Sequence, residues 1–132
     1  MKKIFILSVL CLFTSLSVLA DEPLKKNADG TYVVNTTSLT PNVKGYMGNT
    51  PLEIYIKGEK IQKITPLKNN ETPSYFKRVV NGVISKYVGQ TVKKALKSDV
   101  DAVSGATYSS NAVKENIEAG LKYYQNNKKK VK

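Results

Sequence analysis

Asp101-Ala102-Val103-Ser104-Gly105-Ala106-Thr107-Tyr108-Ser109-Ser110-Asn111 crowds four Ser/Thr hydroxyls and one Gly into eleven residues. An apolar stripe at helical spacing follows at once: Val113, Ile117, Leu121 and Tyr124. The stripe predicts a helix from about Ser110 to Tyr124. The start of a helix carries unpaired backbone N–H groups and the positive end of its dipole, which together attract anions. Gly105 lets the backbone come close to a ligand. The same letters also describe a serine-rich N-cap preceded by a turn. Taken alone, the residues favour that plainer description.

Upstream, a second helical stripe runs through Tyr75, Phe76, Val79, Val80, Val83, Ile84, Tyr87 and Val88. Thr72 suits the N-cap, Pro73 the first helical position and Gly89 the end. Thr91 to Leu96 adds one or two further turns. Before these helices the period changes to two. Leu52, Ile54 and Ile56 alternate with Glu53, Tyr55 and Lys57, and Ile61 to Leu67 returns after the turn Lys57-Gly58-Glu59-Lys60. This is a hairpin. Asp29-Gly30 is a turn signal, and Thr31-Tyr32-Val33-Val34 reads as a short strand. Residues 21–30 read as a flexible lead-in. The expected fold class is α+β: a single domain with a small antiparallel, hairpin-containing sheet flanked by helices. Residues 21–42 form a lead-in with a short strand, 43–124 the domain proper, and 125–132 a basic tail too charged to pack.

The composition narrows the function. The chain has 132 residues, one Cys and no His, which excludes a Ser–His–Asp triad, a Cys–His dyad and a His-ligated metal. Met1-Lys2-Lys3, the apolar run Ile4 to Leu19 and the small-residue site Val18-Leu19-Ala20 form an export signal over residues 1–20, cleaved after Ala20. Cys11 follows Ser8-Val9-Leu10, and bulky Leu10 argues against a lipoprotein site. Removing residues 1–20 takes two lysines and no acid, leaving 19 basic against 10 acidic side chains, a charge of +9. Stability then rests on one apolar core without disulfides. The lysines are spread over the helices and the tail, which suits solubility or docking to acidic or membrane-bound redox partners. No nucleic-acid motif gathers them, and the export signal leads away from nucleic acid.

Asp101, Ser104, Gly105, Ala106 and Thr107 fill every fixed position of a motif of Asp, two variable residues, Ser or Thr, Gly, Ala and Thr. In this the chain resembles the FMN-binding domain family, which includes the flavin-bearing subunits of the sodium-translocating NADH:quinone oxidoreductase and its ferredoxin-linked relative. Gly45-Tyr46-Met47-Gly48 before the hairpin is similar to the family's opening Gly-Tyr-x-Gly strand. Glu71-Thr72-Pro73 is similar to its loop between hairpin and helix, with Ser74 where the family usually has Gly. The three segments occur in family order across residues 43–124.

The resemblance implies FMN joined through its phosphate to the Thr107 hydroxyl, donated from FAD by a separate flavin transferase. It implies that Asp101 serves transferase recognition and that Ser104, Gly105 and Ala106 shape the loop. Tyr46 becomes a flavin contact, Thr72 part of the neighbouring loop, and Glu71 either a hydrogen-bond partner of the flavin or of a backbone amide, or a solvated residue. Tyr108 suits stacking or packing equally, whereas Tyr55 and Tyr75 read as core. The function so implied is electron transfer outside the cytoplasm by a carrier or redox-complex component rather than a stand-alone enzyme. Two alternatives are a secreted basic binding module without flavin and an electron-feeding partner of a separate flavin reductase.

Overall fold

The structure, a computed structural model, describes residues 22–131. The export signal expected over residues 1–20, with Cys11, lies outside the described residues. Four strands form an antiparallel meander in chain order: β1 (Leu24–Lys26), β2 (Tyr32–Asn35), β3 (Leu52–Lys57) and β4 (Lys60–Pro66). The helices follow: α1 (Pro73–Val79), a π-helical segment (Val80–Ile84), the short α2 (Ser85–Tyr87), α3 (Val92–Lys97) and the long α4 (Thr107–Asn127). Sheet followed by helices in one domain is the α+β class expected.

The sheet turns one face to the core because alternate residues share a face. Leu24, Val34, Ile54 and Ile64 pair across the four strands in one register row, and all four are buried. The β3–β4 turn is a two-residue loop in which Gly58 (φ 60°) and Glu59 (φ 62°) are both left-handed, the geometry that matches the twist of a tight hairpin. Ile61 and Ile64 are three apart, so a strict period of two would send them to opposite faces. A register shift against Tyr55 and Ile56 leaves Gln62 unpaired and turns both isoleucines inward.

Helix α4 lays Val113, Ile117, Leu121 and Tyr124 into the core, each 1% exposed or less. The side chain of Asn116 on the same helix is buried but fully engaged. Its Oδ1 accepts the hydroxyls of Thr36 and Thr40, each at 2.6 Å, and its Nδ2 donates to Ala112 O at 2.9 Å. This polar cluster fixes α4 against the chain that leaves β2. The segment after α2 closes along the free edge of β4, with Ile61 N donating to Gln90 O and Gly89 N to Ile61 O.

Several sequence expectations are corrected. The lead-in over 21–30 supplies strand β1, because Leu24 fills the core at the end of the sheet. Helix α4 begins at Thr107, three residues before Ser110, and runs on to Asn127. Ser109 and Ser110 are spent on tertiary partners and so do not cap it. The basic tail packs through its first lysine: Lys128 Nζ lies 3.0 Å from Glu59 Oε1 and 5.4 Å over the Tyr124 ring. Tyr55 is half-buried on the outer sheet face under Lys63, and Tyr75 is 52% exposed, so neither is a core residue. Among the described residues, no helix is long and apolar enough to cross a membrane.

Candidate functional site

The loop that enters α4 is held by its own backbone and by two side chains. Ala106 N donates to Val103 O at 2.9 Å, and Val103 N donates to Ser110 Oγ at 3.0 Å. Gly105 turns the corner at φ +81°, where a side chain would be strained. From α1, Arg78 Nη2 donates to Ser104 O at 2.6 Å. Thr107 is thereby the first helical residue, with Ala106 as a cap that offers no side-chain acceptor and with no acidic residue in the first turn. The 21-residue helix brings no acid of its own to its positive end.

The hydroxyls near this terminus are not equivalent. Ser109 is 5% exposed and donates to the Glu71 carboxylate, while Ser110 is fully buried and accepts from Val103 N. The Thr107 hydroxyl makes no protein hydrogen bond among the described residues, and the residue is exposed. It opens into a cleft of about 440 Å³ lined by Tyr46, Thr72, Tyr75 and the run from Gly105 to Ser109. That volume lies within the roughly 300–1,000 Å³ of small-molecule sites. Tyr46 and Tyr108 are each 71% exposed. With Tyr75 they form an aromatic rim, and Met47 is exposed beside Tyr46.

Glu71 stands behind the cleft. It is 7% exposed, and its carboxylate accepts Tyr46 N at 3.0 Å, Met47 N, and the Ser109 hydroxyl. Of its expected roles, the structure bears out the backbone-amide partner and not the solvated residue. One carboxylate thus ties the Gly45–Gly48 loop, the 69–72 loop and the first turn of α4 together. Gly45 is needed for this packing, since a Cβ there would lie 2.4 Å from Glu71 Oε1.

Thr107, Gly105, Ala106, Tyr46 and Thr72 therefore line one cleft, as the sequence grouped them. Thr72 occupies the cap position of α1 but makes no side-chain cap bond, leaving its side chain to the cleft. Asp101 and Ser104 are exposed and lie outside the cleft wall. Sequence reasoning missed Arg78, Gly82 and the engagement of Ser109. Arg78 had one signal: it is the chain's single arginine. Gly82, in the π-helical segment, faces the motif loop, where its Cβ would lie 2.6 Å from Val103 Cγ2.

A cleft with aromatic walls suits a planar ring system, and an open helix terminus beside a guanidinium suits a phosphate. These are the two ends of FMN, so the residues present fit that cofactor. No curated protein matches the chain. The model of the FMN-binding domain matches residues 45–122, which span the Tyr46 loop, the Glu71 carboxylate, the acceptor-like loop and most of α4. On that match, over more than half of its length, the chain belongs to the FMN-binding domain family.

Proposed function

We propose that the protein is an exported electron carrier whose FMN is attached by a phosphodiester to Thr107. The observation that carries this reading is the contrast among the hydroxyls: Ser109 and Ser110 are buried and engaged, whereas Thr107 is exposed, uncapped and on the cleft. In the transfer from FAD, Thr107 Oγ forms a bond to the FMN phosphorus, the pyrophosphate bond breaks, and AMP leaves. The hydroxyl proton passes to a base of the flavin transferase. The carboxylate behind the cleft, Glu71, is already engaged by Tyr46 N, Met47 N and the Ser109 hydroxyl, which suits a modification whose base comes from a second protein.

When bound, FMN supplies one- and two-electron chemistry. The chain's residues do the rest. The first-turn amides and dipole of α4 favour the phosphate charge by about 0.3–1 kcal/mol. Tyr46, Tyr75 and Tyr108 would supply the aromatic wall against the isoalloxazine. Residues 1–20 address the chain to the outside of the cytoplasm, where a covalent cofactor cannot be lost by dissociation. The surplus of lysines speeds encounter with acidic or membrane-bound redox partners.

The test is acid precipitation of protein produced with an FAD-dependent flavin transferase and recovered from the cell envelope. The yellow colour is expected to stay with the precipitated chain in wild type and Thr107→Ser, and to be absent from Thr107→Ala. Flavin released into the supernatant by wild type would refute covalent attachment.

A further inference from the structure

We propose that Arg78 pairs with the phosphate carried by Thr107, an inference that rests on Thr107 being the attachment point. Arg78 follows Tyr75 by three residues on α1, so the two side chains leave the same helix face, and Tyr75 is a wall of the cleft. Its guanidinium does not project freely. Nη2 is anchored on Ser104 O at 2.6 Å, and Nη1 and Nη2 lie 3.6 and 3.9 Å from the point a Gly105 Cβ would occupy. The group therefore lies across the Ser104–Gly105 backbone, two residues before Thr107.

Three further features point the group at an anion. Among the described residues, the ion pairs involve Lys114, Lys122 and Lys128 and not Arg78, which keeps its charge uncompensated. A guanidinium holds five N–H donors in a planar fork, and the bond to Ser104 O uses one. The neighbouring first turn of α4 has no capping side chain and no acid of its own, and Glu71 reaches it only through the Ser109 hydroxyl. A fork can hold a carbonyl with one arm and a phosphate oxygen with another, which a lysine ammonium on a flexible stem does poorly. That difference accounts for an arginine at this one position in a chain otherwise built with lysine. Anchoring on Ser104 O before modification also fixes the loop that presents the Thr107 hydroxyl.

The test uses the full flavinylated chain, with peptide mass spectrometry first locating the flavin. A ¹H–³¹P correlation spectrum of wild type is expected to connect the Arg78 guanidinium protons with the phosphodiester phosphorus. Its ³¹P resonance is expected to move in Arg78→Gln and to move less in Arg78→Lys, which keeps the charge and loses the fork. A loaded Thr107 whose phosphorus shows no correlation to Arg78 in wild type overturns this proposal and leaves the attachment intact. A Thr107 that carries no phosphate overturns both. The wild-type spectrum decides even if Arg78→Gln folds poorly, and a purely structural clamp on Ser104 O would leave the phosphorus uncoupled.

Discussion

Glu71 and Ser109, 38 residues apart in sequence, meet through a hydrogen bond from the serine hydroxyl to the buried carboxylate. The same carboxylate holds two successive backbone amides of the Tyr46 loop. Glu71→Ala leaves a buried serine hydroxyl without an acceptor and frees the loop. Stability is expected to fall by about 1–3 kcal/mol, read as a lower thermal midpoint. Covalent flavin is expected to persist because Thr107 is untouched. The visible circular dichroism of that flavin is expected to weaken because Tyr46 is no longer held over the cleft. Unchanged dichroism in Glu71→Ala would remove Glu71 from the organisation of the site.

Gly45→Ala is expected to cost about 1–3 kcal/mol, the range of overpacked interiors. The new methyl would sit 2.4 Å from Glu71 Oε1, an atom that its amide and hydroxyl donors prevent from retreating. Combining Gly45→Ala with Glu71→Ala removes the clash with its cause. Chemical denaturation of the four proteins of that cycle is expected to show a double variant less destabilised than the sum of the singles. Strict additivity would contradict the contact.

Gly82→Ala directs a methyl to 2.6 Å from Val103 Cγ2, inside the motif loop. The loop is expected to shift and the protein to become a poorer transferase substrate, measured as the initial rate of flavin incorporation. Val103→Ala opens the space and is expected to restore the rate in the double variant. If Gly82→Ala is modified at the wild-type rate, the loop tolerates movement and the packing of the π-helical segment does not govern it.

The Tyr124 hydroxyl holds the Glu59 carboxyl below its ordinary value, with help from Lys128. A carboxyl depressed in the folded state contributes stability above its unfolded value, near 4.5, and that contribution is lost as pH falls through the lower folded value. Tyr124→Phe removes the principal cause. Its stability deficit against wild type is therefore expected to be full at neutral pH and to shrink below about pH 4.5. At the alkaline end, burial raises the Tyr124 phenol above its ordinary 10.0, so its own contribution is present below that value and lost as pH rises. Thermal midpoints that stay parallel across the acid range would contradict the pairing.

The hairpin and α4 were legible because Leu52, Ile54 and Ile56 alternate and because Val113, Ile117 and Leu121 recur at helical spacing, whereas the upstream stripe, read as one helix ending at Gly89, is divided into α1, the π-helical segment and α2. The bulge at Gln62 was not, since it relieves a spacing conflict that only the closed sheet makes visible. Strand β1 was hidden for a related reason: its three residues include one apolar side chain, Leu24, and pairing with β2 rather than propensity makes it a strand. The start of α4 was read late because serines usually cap helices, whereas Ser109 and Ser110 serve Glu71 and Val103 from inside one. At the site, the motif named Thr107 and its loop directly. Arg78 and Gly82 reach that loop from another helix, a relation no local pattern encodes.

The most direct measurement is the tryptic peptide map of the protein made with a competent transferase, read by tandem mass spectrometry over residues 98–114. The expected result is one FMN, linked with loss of one water, on the Thr107 hydroxyl, and none anywhere in Thr107→Ala. A flavin located on Ser109 or Ser110, or a wild-type peptide that stays unmodified, would contradict the account.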